Sequence, residues 1–245
     1  MDPYPAKVAV FDVDGTLTAT TGVDDECLAR AWSSVFGMAA DSIDTDWTHY
    51  THSTDQGLTL EVCRRGLGRN PSPGEFACVK EAFFGLLRER IGGDPALCVA
   101  VPGARELLAE LRRRGFAVGI ASGAWEESAR IKLGAAGVEV DGFPGTFSHA
   151  RADGEPALRE EIIAGTLGRL GVPAGAAPGR AVYVGDGIWD ARAARALRLG
   201  FVGIRLRGDN ARMEGEGVTR IVRDFTDLTA TLELIDQAIG HIRPI

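Results

Sequence analysis

Residues 7–18 read KVAVFDVDGTLT, an apolar run without polar alternation that closes on two aspartates, Asp12 and Asp14, and a glycine. Such a run is a strand buried on both faces, the kind found in parallel sheets covered by helices on each side. Carboxylates are excluded from the middle of that strand. They are accommodated at its carboxyl end, where open α/β sheets leave a crevice. Three later runs have the same character: AVGIAS (117–122), AVYVGD (181–186) and FVGIRL (201–206). Helical patterns separate them, over 103–115 with Leu107, Leu108 and Leu111 on one face and Gly115 as a stop, and over 157–171 and 190–200. This alternation predicts a doubly wound, mostly parallel α/β sheet. A last helix is expected over 224–240, and the stretch 173–180 reads as a loop.

Residues 18–99 break the rhythm. They hold apolar helical patterns at ECLARAWSSVFG, GLTLEVCRRGLG and EFACVKEAFFGLLRERIG, punctuated by Pro71, Pro73 and the GGDP at 92–95, with no convincing strand. The expected organisation is therefore a core formed by 1–17 and 100–245, with a helical domain, 18–99, inserted after the first strand.

The chain has 245 residues, 45% of them apolar, enough for one large core with a smaller insert. A net charge of −7 gives no general basic field for nucleic acid, so an anionic substrate needs local cations. No apolar run reaches the roughly 18 residues of a membrane span, and the first ten residues lack the pattern of a signal peptide. A cytoplasmic protein that binds neither membrane nor nucleic acid is expected. Cys27, Cys63, Cys78 and Cys98 form no C-x-x-C pair and read as reduced thiols. Lysine is scarce: Lys7, Lys80 and Lys132 are the only ones.

Two carboxylates as close as Asp12 and Asp14 repel unless a positive group neutralises them. Mg²⁺ fits, because it takes hard oxygen ligands and keeps some of its waters. Gly15 permits a sharp turn after them, and the Thr16 hydroxyl is available to cap the turn or to bond a phosphate oxygen.

DVDGTLT after an apolar strand resembles the first motif of the haloacid dehalogenase-like hydrolase superfamily. The resemblance implies that Asp12 is a nucleophile toward phosphorus, forming an aspartyl phosphate. It implies that Asp14 is the general acid and then the general base, and that its backbone carbonyl joins the Mg²⁺ site. The family's second motif is an apolar strand ending in Ser or Thr, which Ser122 matches with Gly123 beside it. Its acidic G-D-x-x-x-D motif is matched by Asp186, a direct metal ligand, and Asp190, a second-line one. The family's lysine is missing. The nearest equivalent, in DGEPALREE, has Glu155 there, and no lysine follows Lys132. An arginine must take the role if it is filled, with Arg159 the first choice and Arg151 the second.

The insert's placement resembles the capped branch that contains phosphoglycolate phosphatases and β-phosphoglucomutase, where a cap closes over the site and reads the leaving group. The polar, aromatic stretch DTDWTHYTHSTDQG (44–57) offers His52, Thr54 and Asp55 as specificity residues; His49 and Trp125 also come into view. The expected function is Mg²⁺-dependent hydrolysis of a small phosphorylated metabolite by a monomer or homodimer. A phosphomutase and a non-catalytic binding protein on the same fold are the alternatives. A dehalogenase has no need of Asp14. A phosphonatase of this superfamily needs an insert lysine for a Schiff base, and only Lys80 is available.

Overall fold

The computed structural model describes residues 3–240; the first two and last five residues of the expected core lie outside them. Six parallel strands form one sheet in the order β3-β2-β1-β4-β5-β6. They are β1 (Val8–Phe11), β2 (Ala117–Ala121), β3 (Gly145–Thr146), β4 (Ala181–Gly185), β5 (Gly200–Ile204) and β6 (Ile221–Val222). β1 lies between β2 and β4, with Val8 in register with Ala117 on one side and Ala181 on the other.

The absence of polar alternation in β1 has a direct structural cause. Val8 and Val10 enter one apolar core, Ala9 and Phe11 the other, and all four are fully buried. β4 divides in the same way, Tyr183 to one core, Val182 and Val184 to the other. Helices α6 (Arg159–Arg169) and α7 (Ile188–Ala196) cover the face of Val8 and Val10. Helices α4 (Ala104–Arg113), α5 (Glu126–Ala135) and α9 (Leu228–Gly240) cover the opposite face. A short helix, α8 (Ala211–Gly215), follows β5.

Residues 18–99 hold α1 (Thr21–Phe36), α2 (Asp55–Leu67) and α3 (Pro73–Gly93). Local chemistry sets their ends. Gly37 and Gly68 stop α1 and α2 in the left-handed region that only glycine enters cheaply. Ser72 and Glu75 exchange side-chain-to-backbone hydrogen bonds at the start of α3, with Pro73 in the first turn. The insert's apolar side chains, Trp32, Phe83 and Leu87 among them, continue the core on the α4 side of the sheet.

The sequence reading differs from the structure at β3, β6, α5, α8 and the start of α7. β3 and β6 have only two residues each and leave no apolar run to detect. α5 carries a weak pattern and was not anticipated. α7 starts at Ile188, not at residue 190, because the Asp190 carboxylate accepts the Gly187 N–H at 3.0 Å and closes the first turn. No described helix is long and apolar enough to cross a membrane. All four cysteines are free, three buried and Cys78 exposed.

Candidate active site

The carboxyl ends of β1, β2 and β4 stand side by side, and each delivers a polar side chain: Asp12, Ser122 and Asp186. Carboxylate oxygens of Asp12, Asp186 and Asp190 lie within 4.8 Å of one another. Gly15 makes room for this. Its φ of +71° requires glycine, and a Cβ there would stand 2.0 Å from Asp186 Oδ2. Asp12 and Asp190 are buried, and Asp186 is half-buried.

One cation meets this cluster. The Arg159 guanidinium, 7% exposed, places Nη1 3.5 Å from Asp12 Oδ1 and Nε 3.4 Å from Asp190 Oδ1. Its Nη2 donates to the Ser53 carbonyl at 3.2 Å. The second choice, Arg151, is spent elsewhere, on Asp153 and Glu161 near the surface. Glu155 is exposed and faces Arg64 at 3.8 Å.

Three carboxylates against one guanidinium leave an excess of negative charge. Burial pushes the Asp190 carboxyl up to about 7, Arg159 opposing and Asp12 reinforcing the rise. Burial raises Asp186 well above the usual carboxylate range, helped by Asp190, Asp12 and Asp14. Asp12 is raised by burial as well, against the pull of Arg159. Asp186 has no hydrogen bond or ion pair with any described residue. All the donors are hard oxygens, so the set fits a hard divalent cation that neutralises the excess.

Asp14 belongs to a second cluster. Its carboxylate receives Lys132 Nζ at 2.6 Å and the Thr20 hydroxyl at 2.6 Å. The same ammonium pairs with Asp24 at the start of α1. Lys132 is fully buried on α5. The family's lysine is expected just before β4, and Lys132 lies outside that stretch. A signal was available: Lys132 shares the buried face of α5 with Ser128, Ala129 and Leu133, where an unpaired lysine is not tolerated.

Both clusters open into one cavity of about 450 Å³. Its roof comes from the insert. The Asp55 N–H donates to the Gly123 carbonyl at 2.8 Å, the Trp125 N–H to the Asp55 carboxylate at 2.8 Å, and the Gln56 N–H to Ser148 Oγ at 3.0 Å. A Cβ on Gly123 would meet the Ser53 carbonyl at 2.5 Å, so glycine lets the insert sit this close to the loop after β2. Ser53 and Asp55 line the cavity. Thr54, between them, uses its hydroxyl to cap α2 through the Gly57 N–H at 3.2 Å. The His52 ring lies against Gly57, and His49 is exposed and pairs with Asp44. These three therefore act on local structure and not on the cavity wall. Trp125, 2% exposed, packs edge-on against Phe83 and Phe84. Thr16 is fully buried, and its hydroxyl finds no hydrogen-bond partner.

The cavity is also lined by residues that the sequence reading does not single out: Asp25, Asp46, Trp47, Trp189, Arg205 and Arg212. Arg212 is neutralised by Asp46 at 3.0 Å. The Trp47 indole donates to Asp25 at 2.8 Å. Burial, with Asp24 adjacent, pushes the Asp25 carboxyl up to about 7. A carboxyl whose pKa is higher in the fold than in the unfolded chain stabilises the fold in its neutral form. That contribution is complete below about pH 4 and is lost as pH rises through about 7. Asp25→Asn is therefore expected to leave stability unchanged near pH 4 and to raise it near pH 8 by roughly 1–3 kcal/mol. Urea unfolding at the two pH values checks this, and equal curves at both would make Asp25 an ordinary solvated carboxyl.

Comparison with known proteins agrees with this architecture. A hydrolase from Pseudomonas syringae superposes with a TM-score of 0.70 at 23% identity, over 93% of this chain and 98% of that one. A β-phosphoglucomutase, described as such provisionally, from Bacteroides vulgatus gives 0.66 at 16% identity, over 98% and 92%. CbbY from Rhodobacter sphaeroides, solved with phosphate, gives 0.63 at 22%, over 91% and 96%. At these identities the likeness is one of fold. Phosphonoacetaldehyde hydrolase from Pseudomonas fluorescens is 34% identical over 77 residues, 31% of this chain; the chain thus spans about a quarter (27%) of that relative's length. The family model for haloacid dehalogenase-like hydrolases matches residues 6–198, from the start of β1 past the end of α7 and through both acidic clusters. With strand order, strand-end carboxylates and family match in agreement, the chain belongs to the haloacid dehalogenase-like hydrolases.

Proposed function

We propose that the protein is a Mg²⁺-dependent phosphatase acting on a small phosphorylated metabolite. The observation that carries this reading is the Asp12–Asp186–Asp190 carboxylate cluster with the Arg159 guanidinium set against two of its members. Asp12, Asp186 and the Asp14 carbonyl, together with Asp190, would hold Mg²⁺, which would supply charge neutralisation for an anionic phosphate beside an anionic nucleophile. Asp12 attacks phosphorus and becomes the aspartyl phosphate. Asp14, two residues on and lining the same cavity, gives its proton to the leaving oxygen and then takes one from the water that hydrolyses the intermediate. Arg159, Ser122 and the loop at Gly123 hold the phosphoryl oxygens. The helical insert, 18–99, acts as the cap: its segment 53–56 closes the cavity and keeps bulk water from the intermediate.

The rest of the cavity lining suggests the leaving group. Arg212 is neutralised by Asp46, Asp25 adds an acid, and Arg205 gives its Nε–H to the Asp209 carbonyl and has no carboxylate partner among the described residues. These acids and arginine donors suit a leaving group rich in hydroxyls, which both can bond.

The partial match to a phosphonoacetaldehyde hydrolase raises a second reading, cleavage of a phosphonate. Its Schiff-base route needs an insert lysine in the cavity. The Lys80 ammonium instead lies 5.0 Å over the Trp125 ring, and Lys80 is not among the lining residues.

The test is phosphate release from a panel of polyol, carboxylate-bearing and bis-phosphate esters and a phosphonate, with Mg²⁺ and with a chelator. The expected result is release from one or a few polyol phosphates, lowered about 10³-fold or more by the chelator. No release from any ester by folded protein with Mg²⁺ would overturn the phosphatase reading in favour of a mutase or binding role. Release from the phosphonate alone would favour the second reading.

A further inference from the structure

We propose that Lys132 is a positioning residue that holds the Asp14 carboxylate for proton transfer to the leaving group; this rests on the phosphatase reading above. Three elements meet at its ammonium. Asp14 comes from the turn after β1, Asp24 from the first turn of the insert, and Lys132 itself from the buried face of α5. Lys132 has 0% exposure, while Lys7 is exposed and Lys80 partly so. An ammonium taken wholly out of water is retained only where partners surround it. Those partners are two carboxylates that both line the reaction cavity, and Asp14 is the one two residues from the nucleophile.

The contact geometry constrains Asp14. Its Oδ2 faces Lys132 at 2.6 Å and its Oδ1 accepts the Thr20 hydroxyl at 2.6 Å. The Thr20 oxygen in turn accepts the Thr18 hydroxyl at 2.7 Å. Both oxygens are thus tied, one to the core through Lys132 and one to the β1 turn through the threonines. An aspartate has two side-chain torsions, and this pair of contacts selects one setting of them. Proton transfer in the transition state depends on that setting, because the donor must stand within hydrogen-bond reach of the leaving oxygen. Arg159 cannot substitute, since its contacts are to Asp12, Asp190 and Ser53. The two cations divide the labour: Arg159 faces the nucleophile and Lys132 faces the acid.

A purely structural lysine would neutralise Asp24 and have no effect on leaving-group chemistry. The test separates these. Single-turnover phosphorylation is measured for wild type and Lys132→Met with the best alkyl phosphate of the panel and with p-nitrophenyl phosphate, whose nitrophenolate departs without a proton. The variant is expected to lose about 100-fold or more on the alkyl ester and less than about tenfold on the aryl ester, with KM changed less than about threefold. Equal losses on both esters would overturn the proposal. Should Lys132→Met not fold, the double variant with Asp24→Asn removes the buried carboxylate that the lysine neutralises, and the same comparison is made on it. If wild type releases no phosphate from any ester, the phosphatase reading falls, and a crystal structure of the variant decides the positioning. An Asp14 carboxylate turned away from its Thr20-bonded setting supports it, and an unmoved one overturns it.

Discussion

Replacing Asp12 with Asn is expected to lower kcat by about 10⁴-fold or more, the scale of loss when a covalent nucleophile is removed. The argument is geometric first. Asp12 directly follows the central strand, is 4% exposed, and sits between Ser122 just after β2 and the Asp186–Asp190 pair beyond β4. Asn keeps the shape and the capacity to accept from Arg159, but it has no anionic oxygen to attack phosphorus. Stability should not fall in step with activity. Burial raises the Asp12 carboxyl above its ordinary range, with Asp14 adding to the rise. A neutral side chain relieves that cost and surrenders the attraction of Arg159 and part of the hydrogen bonding from Ser122 and the Val13 backbone. Thermal unfolding of the variant is therefore expected to match wild type or exceed it in the absence of metal. Rapid quench with a labelled ester should trap a phosphorylated wild-type protein and leave Asp12→Asn unlabelled. Label on the variant, or turnover within about tenfold of wild type, would move the nucleophile elsewhere.

Replacing Arg159 with Ala is expected to do two things at once. Phosphate handling should fail, with kcat/KM down by about 10³-fold or more, because an oriented cation in a water-poor site is lost. The fold should also weaken, by about 3–5 kcal/mol at neutral pH, because buried carboxylates lose their one counter-charge. The cause is specific: the guanidinium reaches Asp12, Asp190 and the Ser53 carbonyl together, at 3.5, 3.4 and 3.2 Å. Arg159→Lys restores the charge but not that reach, since one ammonium cannot serve three directions of a planar fork. It is expected to recover stability better than rate. Mg²⁺ should return part of the lost stability of Arg159→Ala, because it neutralises the same carboxylates. Arg151→Ala is the control. That side chain is engaged with Asp153 and Glu161 near the surface, and its loss is expected to leave kinetics near wild type. Steady-state kinetics and urea unfolding, with and without Mg²⁺, check all three variants. Wild-type kinetics for Arg159→Ala would remove it from the site.

Lys132 and Arg159 illustrate different degrees of legibility. Arg159 opens a helix that follows the acidic loop, so its place in the chain order pointed to it once lysine was missing there. Lys132 lies 118 residues from Asp14 in the chain, on a helix whose weak pattern escaped notice. Its only local trace is a charge on a face otherwise small and apolar. Similarly, Thr54 and His52 look like cavity residues in a polar stretch. Which side chain of that stretch caps a helix and which one meets the cavity depends on how α2 is rotated against the loop after β2.

By itself the sequence determined the doubly wound sheet and the strand ends that carry Asp12, Ser122 and Asp186. Burial on both faces imposes an uninterrupted apolar run, and a carboxylate can follow such a run only where the strand stops; both are local properties that survive in one dimension. Only the tertiary structure decided which cation pairs with which acid, that Ser53 and Asp55 of the insert line the cavity, and that Asp25, Asp46 and Trp189 line it too. Those facts depend on helix rotation and on contacts between segments remote in the chain, and an ion pair across such a distance leaves no period, spacing or composition in the sequence to read.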